Sequence, residues 1–236
     1  MTRRVLRRQP GRQRADELVA ATWQCASRLL DYPDGQDLDV VRAAVPLLPE
    51  ESAGPLGRFL AHLDATPLAE LQEDYVATFD TRRRCNLFLT YFAYGDTRKR
   101  GMALLRFKQA YLTSGVQLSD DELPDHLCVV LEYAATVDLD QGRRLLLDHR
   151  AGLELLRISL HEAESPWADV VEAVCAALPA LRGDEREAVR RLAAQGPPEE
   201  EVGLTPYGTP QMDAALMERQ RKVDLPMPEV PAGRGA

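Results

Sequence analysis

The sequence predicts an all-α protein, folded as a single-domain bundle of about eight to ten helices. Apolar residues recur with a period near 3.6 from about residue 16 to residue 194, as in amphipathic helices. The sequence lacks strand-length runs of alternating apolar and polar residues, and it lacks the Asn-Gly turns typical of β-hairpins. Pro and Gly separate the apolar stripes and indicate where the helices end.

The helices follow from these stripes and from start and stop signals. In chain order, we expect helices over about 16–31, 38–48, 52–63, 67–79, 85–94, 97–113, 124–137, 140–164, 166–178 and 184–194. The residues that indicate helix starts are Ser52, Thr66-Pro67, Asp96, Pro124, Asp140, Ser165-Pro166 and the pair Asp184/Glu187. The stop signals are Tyr32-Pro33-Asp34-Gly35 and Ser114-Gly115.

The segment 85–94 (CNLFLTYFAY) fits either a buried helix or a strand. It is apolar on both faces, so periodicity does not separate the two. Helices flank it, and no partner strand is evident elsewhere in the sequence. We therefore predict a buried helix.

Both ends of the chain differ in composition from the helical part. The first fourteen residues contain six Arg and no acid, and no apolar segment follows as a twin-arginine export signal requires. We interpret 1–14 as a disordered basic arm. From Gly196 onward, 41 residues contain seven Pro and five Gly, which predicts a mostly disordered tail over 196–236. The helical domain is thus predicted to span 15–195.

Charge and cysteine usage limit the classes of function. The net charge of −8 argues against general nucleic-acid binding. The sequence contains no run of about 20 apolar residues, so we predict neither a membrane span nor direct membrane insertion. The four cysteines are far apart and form no C-x-x-C pair, so we predict buried free thiols, no metal site and a cytoplasmic protein. These residues are Cys25, Cys85, Cys128 and Cys175.

The sequence contains no recognisable catalytic machinery. Nucleotide-binding, hydrolase and metalloprotease motifs are missing, and no two histidines have the spacing of helical metal ligands. The four histidines are His62, His126, His149 and His161. The sequence therefore offers no catalytic constellation, and we predict no cofactor of the protein's own.

The predicted helix from Pro124 carries an acidic outer face. Its core positions would be Leu127, Val130, Leu131 and Ala134. Asp125 and Glu132 are separated by nearly two turns and should lie on the opposite face, flanked by Val129. Such a face suits a basic, partly apolar peptide. The alternative is an ordinary solvated helix back.

Arg100 lies on an apolar stripe of the helix predicted over 97–113. A buried guanidinium needs a carboxylate partner. The candidate partners are Asp80, Asp125 and Glu132, and we assign Arg100 and Asp80 as the structural pair. A direct contact between Arg100 and a ligand is the alternative.

Four motifs then occur in order at close spacing. They are Tyr75-Val-Ala-Thr-Phe79-Asp80, Gly95-Asp-Thr-Arg98-Lys-Arg100-Gly101, Tyr111-x-x-x-Gly115, and Glu122-Leu-Pro-Asp-His-Leu127 with Leu131-Glu132-Tyr133. Together they resemble the NarJ branch of the molybdoenzyme assembly chaperones, a family that also includes the TorD and DmsD types. The resemblance is tightest over about 70–135.

This resemblance implies an all-helical cytoplasmic chaperone without catalytic activity. Its partner would be the N-terminal leader of the apo α-subunit of respiratory nitrate reductase, held until the molybdenum cofactor is inserted, with proteins of cofactor biosynthesis as further partners. The candidate peptide-binding residues are Asp125, His126, Val129, Glu132, Tyr75, Phe79 and Arg98. The alternative is a helical adaptor, or a chaperone for the leader of another molybdoenzyme.

Overall fold

The computed structural model describes residues 10–95, 97–119 and 122–195. This part of the chain forms eleven α-helices, one more than the upper end of the predicted range. They are α1 (Pro10–Leu29), α2 (Asp39–Ala44), α3 (Glu50–Ala65), α4 (Leu68–Tyr75), α5 (Tyr91–Tyr94), α6 (Arg98–Thr113), α7 (Leu127–Thr136), α8 (Leu139–Asp148), α9 (Arg150–Glu162), α10 (Trp167–Ala176) and α11 (Gly183–Gln195). The all-α prediction is confirmed.

Three short helical turns complete the architecture. Two are 3₁₀ turns, at Val45–Leu47 and Arg83–Cys85. The third is a π-helical turn at Val76–Asp80, which continues directly from α4. Within the described residues, the single extended pairing is an isolated antiparallel bridge between Phe88 and His126.

Helix α7 lies at the centre of the packing that positions the site. It packs against α1 and α8, while α10 packs against α1, α3 and α9. Its predicted core residues are all buried: Leu127, Val130, Leu131 and Ala134. Ser27 of α1 also donates a hydrogen bond to the carbonyl of Cys128, 2.9 Å away. The end of α1 is therefore fixed beside the first turn of α7.

Several predicted helix boundaries are shifted. Helix α1 begins at Pro10, so residues 10–14 of the predicted disordered arm are helical, and Asp16 forms an ion pair with Arg143 of α8 at 3.0 Å. Helix α3 begins at Glu50, before the predicted cap Ser52. Residues 1–9, the predicted cap Asp96 and the predicted tail over 196–236 lie outside the described residues.

The helix predicted over 140–164 is two helices. Asp138 accepts a hydrogen bond from the Gln141 amide at 2.9 Å and caps α8, which ends at Asp148. His149 has non-helical backbone angles and separates α8 from α9. Helix α8 packs mainly on α7, whereas α9 packs on α10 and α11, so the two helices have different neighbours.

The predicted helix over 85–94 is wrong for most of its length. Asn86 accepts a hydrogen bond from the Phe88 amide, which turns the chain, and Leu87 accepts one from the Leu127 amide at 2.9 Å. Only Tyr91–Tyr94 is helical. The Leu87 carbonyl and the Leu89 amide pair with Leu127 and Asp125 at the start of α7, in place of helical hydrogen bonds.

The four cysteines are free and buried, as predicted. In the described part of the chain, no group of three His, Cys, Asp or Glu side chains could hold a metal ion. Over those same residues, no helix combines the length and apolar character needed to cross a membrane.

Gly142 allows α7 and α8 to approach closely. A Cβ at this position would lie 2.6 Å from Ala134 Cα in α7. We expect Gly142→Ala to lower the free energy of unfolding by about 1–3 kcal/mol, because the helices must separate. Urea denaturation followed by circular dichroism measures the change.

Gly101 provides the matched control, because it too is the fourth residue of its helix. A Cβ there would meet no described atom within 4 Å. Gly101→Ala should therefore raise stability by about 0.5–1 kcal/mol through helix propensity alone. A stabilising Gly142→Ala would contradict the close contact between α7 and α8.

Candidate functional site

Asp125 does not lie on the outer face of a helix, so this part of the sequence prediction is wrong. Helix α7 begins only at Leu127, with His126 as its N-cap residue, and Asp125 is fully buried. The Asp125 carbonyl accepts a hydrogen bond from the Leu89 amide at 3.0 Å. Pairing with the segment 86–90 therefore replaces the first helical turn that Pro124 suggested.

The Asp125 carboxylate is held by Thr90 and Arg100. Its Oδ2 accepts hydrogen bonds from the Thr90 amide at 3.2 Å and from the Thr90 hydroxyl at 2.5 Å. Arg100 Nη2 lies 3.6 Å from the same oxygen, and Arg100 Nε donates to the Thr90 hydroxyl oxygen at 3.2 Å. These contacts balance a carboxylate that has no access to water.

This arrangement corrects the predicted partner of Arg100. The buried ion pair joins Arg100 to Asp125, whereas Asp80 is exposed at the end of the π-helical turn after α4. The guanidinium also lies over the Phe88 ring, 5.2 Å from its centroid. Arg100 thus connects α6 to the segment 86–90 and to the start of α7.

Tyr75 and Phe79 are buried and form part of an aromatic cluster. Their ring centroids are 4.7 Å apart, and each lies 5.6 Å from the ring of Trp167. The Tyr75 hydroxyl donates to the Leu30 carbonyl at 3.1 Å. These two predicted residues therefore support the surface, and the half-exposed Tyr32 packs edge-on against Tyr75 at 5.4 Å.

Three predicted residues line one side of α7. His126 and Val129 are half-buried and Glu132 is exposed, at successive three-residue intervals. The exposed Asp31, which follows α1, lies close to this row. Burial lowers the pKa of His126, and the carboxylates of Asp31 and Asp125 oppose that shift. We call Asp31, His126, Val129 and Glu132 the acidic strip.

The buried Cys128 thiol lies close to the carboxylates of the acidic strip. Burial raises the pKa of Cys128 well above its ordinary value, and the carboxylates of Asp31, Glu122 and Glu132 raise it further. Glu122 is exposed as well. Exposed acidic groups from three parts of the chain, Asp31, Glu122 and Glu132, therefore lie near the start of α7.

The sequence interpretation missed Asp31. It lies two residues beyond the end of α1, in a loop that the helical periodicity does not cover. Its one available signal was its position at the end of the helix predicted over 16–31, directly before the stop sequence Tyr32-Pro33-Asp34-Gly35. Its closeness to α7 depends on helix packing, which no single-helix pattern contains.

A small apolar pocket adjoins the acidic strip at Asp31. It has a volume of about 210 Å³ and lies between the loop after α1, α3 and α4. Its apolar lining consists of Leu29, Leu38, Phe59, Leu63, Leu68, Leu71 and Trp167. Asp31, Asp34, Arg28 and Arg42 also line it, so the pocket combines an apolar interior with charged neighbours of both signs.

Arg98 lies on a different helix from the other exposed candidate residues. It is exposed and is the first residue of α6. Of the seven predicted peptide-binding residues, the structure thus brings His126, Val129 and Glu132 together at the surface. It places Asp125, Tyr75 and Phe79 beneath that surface or in the core.

Known proteins match the chain over the helices described above. The family model described as the nitrate reductase delta subunit matches residues 46–173. The nitrate reductase-like protein NarX of Mycobacterium tuberculosis is 43% identical over 153 residues, which are 65% of this chain and 24% of NarX. The chain therefore spans about a quarter of that relative.

Two shorter relatives match as well. A probable nitrate reductase molybdenum cofactor assembly chaperone, NarJ of Bacillus subtilis, is 32% identical over 165 residues, covering 66% of this chain and 88% of the relative. The nitrate reductase molybdenum cofactor assembly chaperone NarJ of Escherichia coli is 36% identical over 148 residues, covering 60% of this chain and 63% of the relative.

Neutralising the buried Asp125 should affect stability more than neutralising the exposed Glu132. We expect Asp125→Asn to lower the free energy of unfolding by about 3–5 kcal/mol, because one partner of a buried ion pair is removed. Glu132→Gln should change it by less than about 0.5 kcal/mol, as at an ordinary exposed position. Urea denaturation of both variants tests this, and equal losses would contradict the assignment of Asp125 as a structural anchor.

Proposed function

The chain belongs to the nitrate reductase delta subunit family, and on that premise we propose that it is an assembly chaperone rather than an enzyme. In this proposal, it binds the N-terminal leader of the apo α-subunit of respiratory nitrate reductase and holds it while the molybdenum cofactor is inserted. It acts in the cytoplasm, meets proteins of cofactor biosynthesis there, and is not part of the finished enzyme. The names of the Bacillus subtilis and Escherichia coli relatives support this role.

The observation that carries the proposal is the acidic strip. Asp31 and Glu132 are exposed carboxylates that both act on the buried Cys128, and Val129, the next residue of α7, is half-buried. A peptide that carries Arg or Lys beside apolar residues complements both properties of this surface. Exposed carboxylates attract such a peptide over a distance and keep their hydration until it binds, so they favour rapid and selective association.

The apolar pocket beside Asp31 provides a place for one apolar side chain of the leader. Its volume of about 210 Å³ suits a Leu, Met or Phe side chain. Burial of such a side chain contributes about 1.5–3 kcal/mol. A leader with a basic residue next to an apolar one would therefore occupy the acidic strip and the pocket at the same time.

The buried residues of the predicted site have a positioning role in this proposal. Asp125 holds the start of α7, and Tyr75 supports Tyr32 at the surface. Neither makes a contact with the peptide. Arg98 also falls outside the surface that the proposal uses, because it lies on α6.

Calorimetry with a synthetic peptide of the α-subunit N-terminus tests the proposal. We expect Asp31→Asn and Glu132→Gln each to weaken binding by about fivefold at low salt, since an exposed charge pair contributes up to about 1 kcal/mol. The difference between wild type and variants should shrink at high salt, because the Debye length falls from about 10 Å at 0.1 M to about 3 Å at 1 M.

Two controls make this result specific. Glu162→Gln removes an exposed acid from the end of α9 and should leave the affinity unchanged. A peptide with its basic residues replaced by Gln should bind wild type and both strip variants equally. Wild-type affinity of both strip variants for the natural peptide at low salt would refute the assignment of the strip. Tighter binding of another molybdoenzyme's leader would favour the alternative partner.

A further inference from the structure

Helix α6 is strongly basic in a chain whose net charge is −8. Its sixteen residues, RKRGMALLRFKQAYLT, contain five basic residues and no acid. Its inner side is buried through Ala103, Phe107, Ala110 and Tyr111. The opposite, outer side of α6 is not part of the acidic strip.

Three aliphatic side chains project from the outer side of α6. Met102, Leu105 and Leu112 are 67%, 56% and 56% exposed. With 100° between successive residues, these three fall within about 80° of one another on the helix circumference. Single exposed apolar residues are common on proteins, but an aligned set on one helix indicates a contact surface.

Basic side chains flank this apolar row on both sides. Lys99 and Arg106 lie on one flank, Lys108 lies on the other, and Arg98 lies at the N-terminal end, all exposed. Cationic groups on both sides of an exposed aliphatic row are typical of helices that lie in the plane of a membrane interface.

We propose that the outer side of α6 binds the surface of an anionic lipid bilayer. The charge of the helix selects an anionic target. The helix is about 24 Å long, and Met102 and Leu105 also line an open depression between α6 and α8. An aliphatic row with cations on both flanks matches a surface that offers phosphates and acyl chains together. The aliphatic side chains enter the boundary between headgroups and acyl chains, and the basic groups contact lipid phosphates.

Co-sedimentation of the full chain with lipid vesicles provides the first test. The protein should bind vesicles of phosphatidylglycerol mixed with phosphatidylcholine and should not bind phosphatidylcholine alone. Lys99→Gln with Lys108→Gln should weaken binding by about fivefold for each charge removed. Leu105→Gln with Leu112→Gln should weaken it by about tenfold. These positions are exposed, so circular dichroism should show unchanged folding.

Matched variants separate α6 from other basic regions. Arg82→Gln with Arg84→Gln removes two exposed charges elsewhere and should have little effect. The N-terminal arm is basic too, so a variant with Arg3, Arg4, Arg7 and Arg8 changed to Gln is compared as well. Binding that survives the α6 variants and is lost in the arm variant would overturn the proposal, as would no binding of wild type to anionic vesicles.

A fluorescent reporter on the row tests the geometry. Trp23 and Trp167 are buried, so Leu105→Trp adds the one tryptophan that can enter lipid in the described part of the chain. Its emission should shift to shorter wavelength with anionic vesicles, and brominated acyl chains should quench it. Unchanged emission with bound vesicles would exclude α6 as the contact. Neither assay contains a leader peptide, so failure of the proposed chaperone function would leave these results unaffected.

Discussion

The buried Asp125 carboxylate is the interaction on which the arrangement of this protein depends. A charge without access to water must be balanced by hydrogen bonds and an opposite charge, or it destabilises the fold by several kcal/mol. Thr90 and Arg100 supply that balance. Because these partners come from the segment 86–90 and from α6, one carboxylate fixes three parts of the chain relative to one another.

The candidate site follows from this constraint. Asp125 delays the start of α7 until Leu127, which places His126 at the N-cap and brings Val129 and Glu132 to the surface. Ser27 then fixes the end of α1 to the first turn of α7, so Asp31 lies beside the same surface. The candidate surface thus combines residues that are distant in sequence. Asp125, which positions them, is itself buried.

The sequence predicted the helical class and the inner face of α7, because burial imposes a period on local residues. It did not predict the non-helical segment 86–90, since this segment is apolar on both sides and its partners, Asp125 and Leu127, lie more than thirty residues away. Asp125 was assigned to a helix because Pro124 often begins one. Asp31 was missed because its neighbours belong to another helix. Each of these errors concerns contacts between elements rather than within them.

Hydrogen exchange at individual backbone amides, measured by NMR, tests the anchoring role of Asp125 most directly. In Asp125→Asn, the amides of Leu89, Thr90 and Leu127 should exchange at least about tenfold faster than in wild type, and the buried Val174 amide of α10 reports the accompanying loss of global stability. The matched variant Glu132→Gln should leave all four unchanged. If Asp125→Asn leaves exchange unchanged at Leu89, Thr90 and Leu127, the carboxylate does not hold the segment 86–90 against α6 and α7.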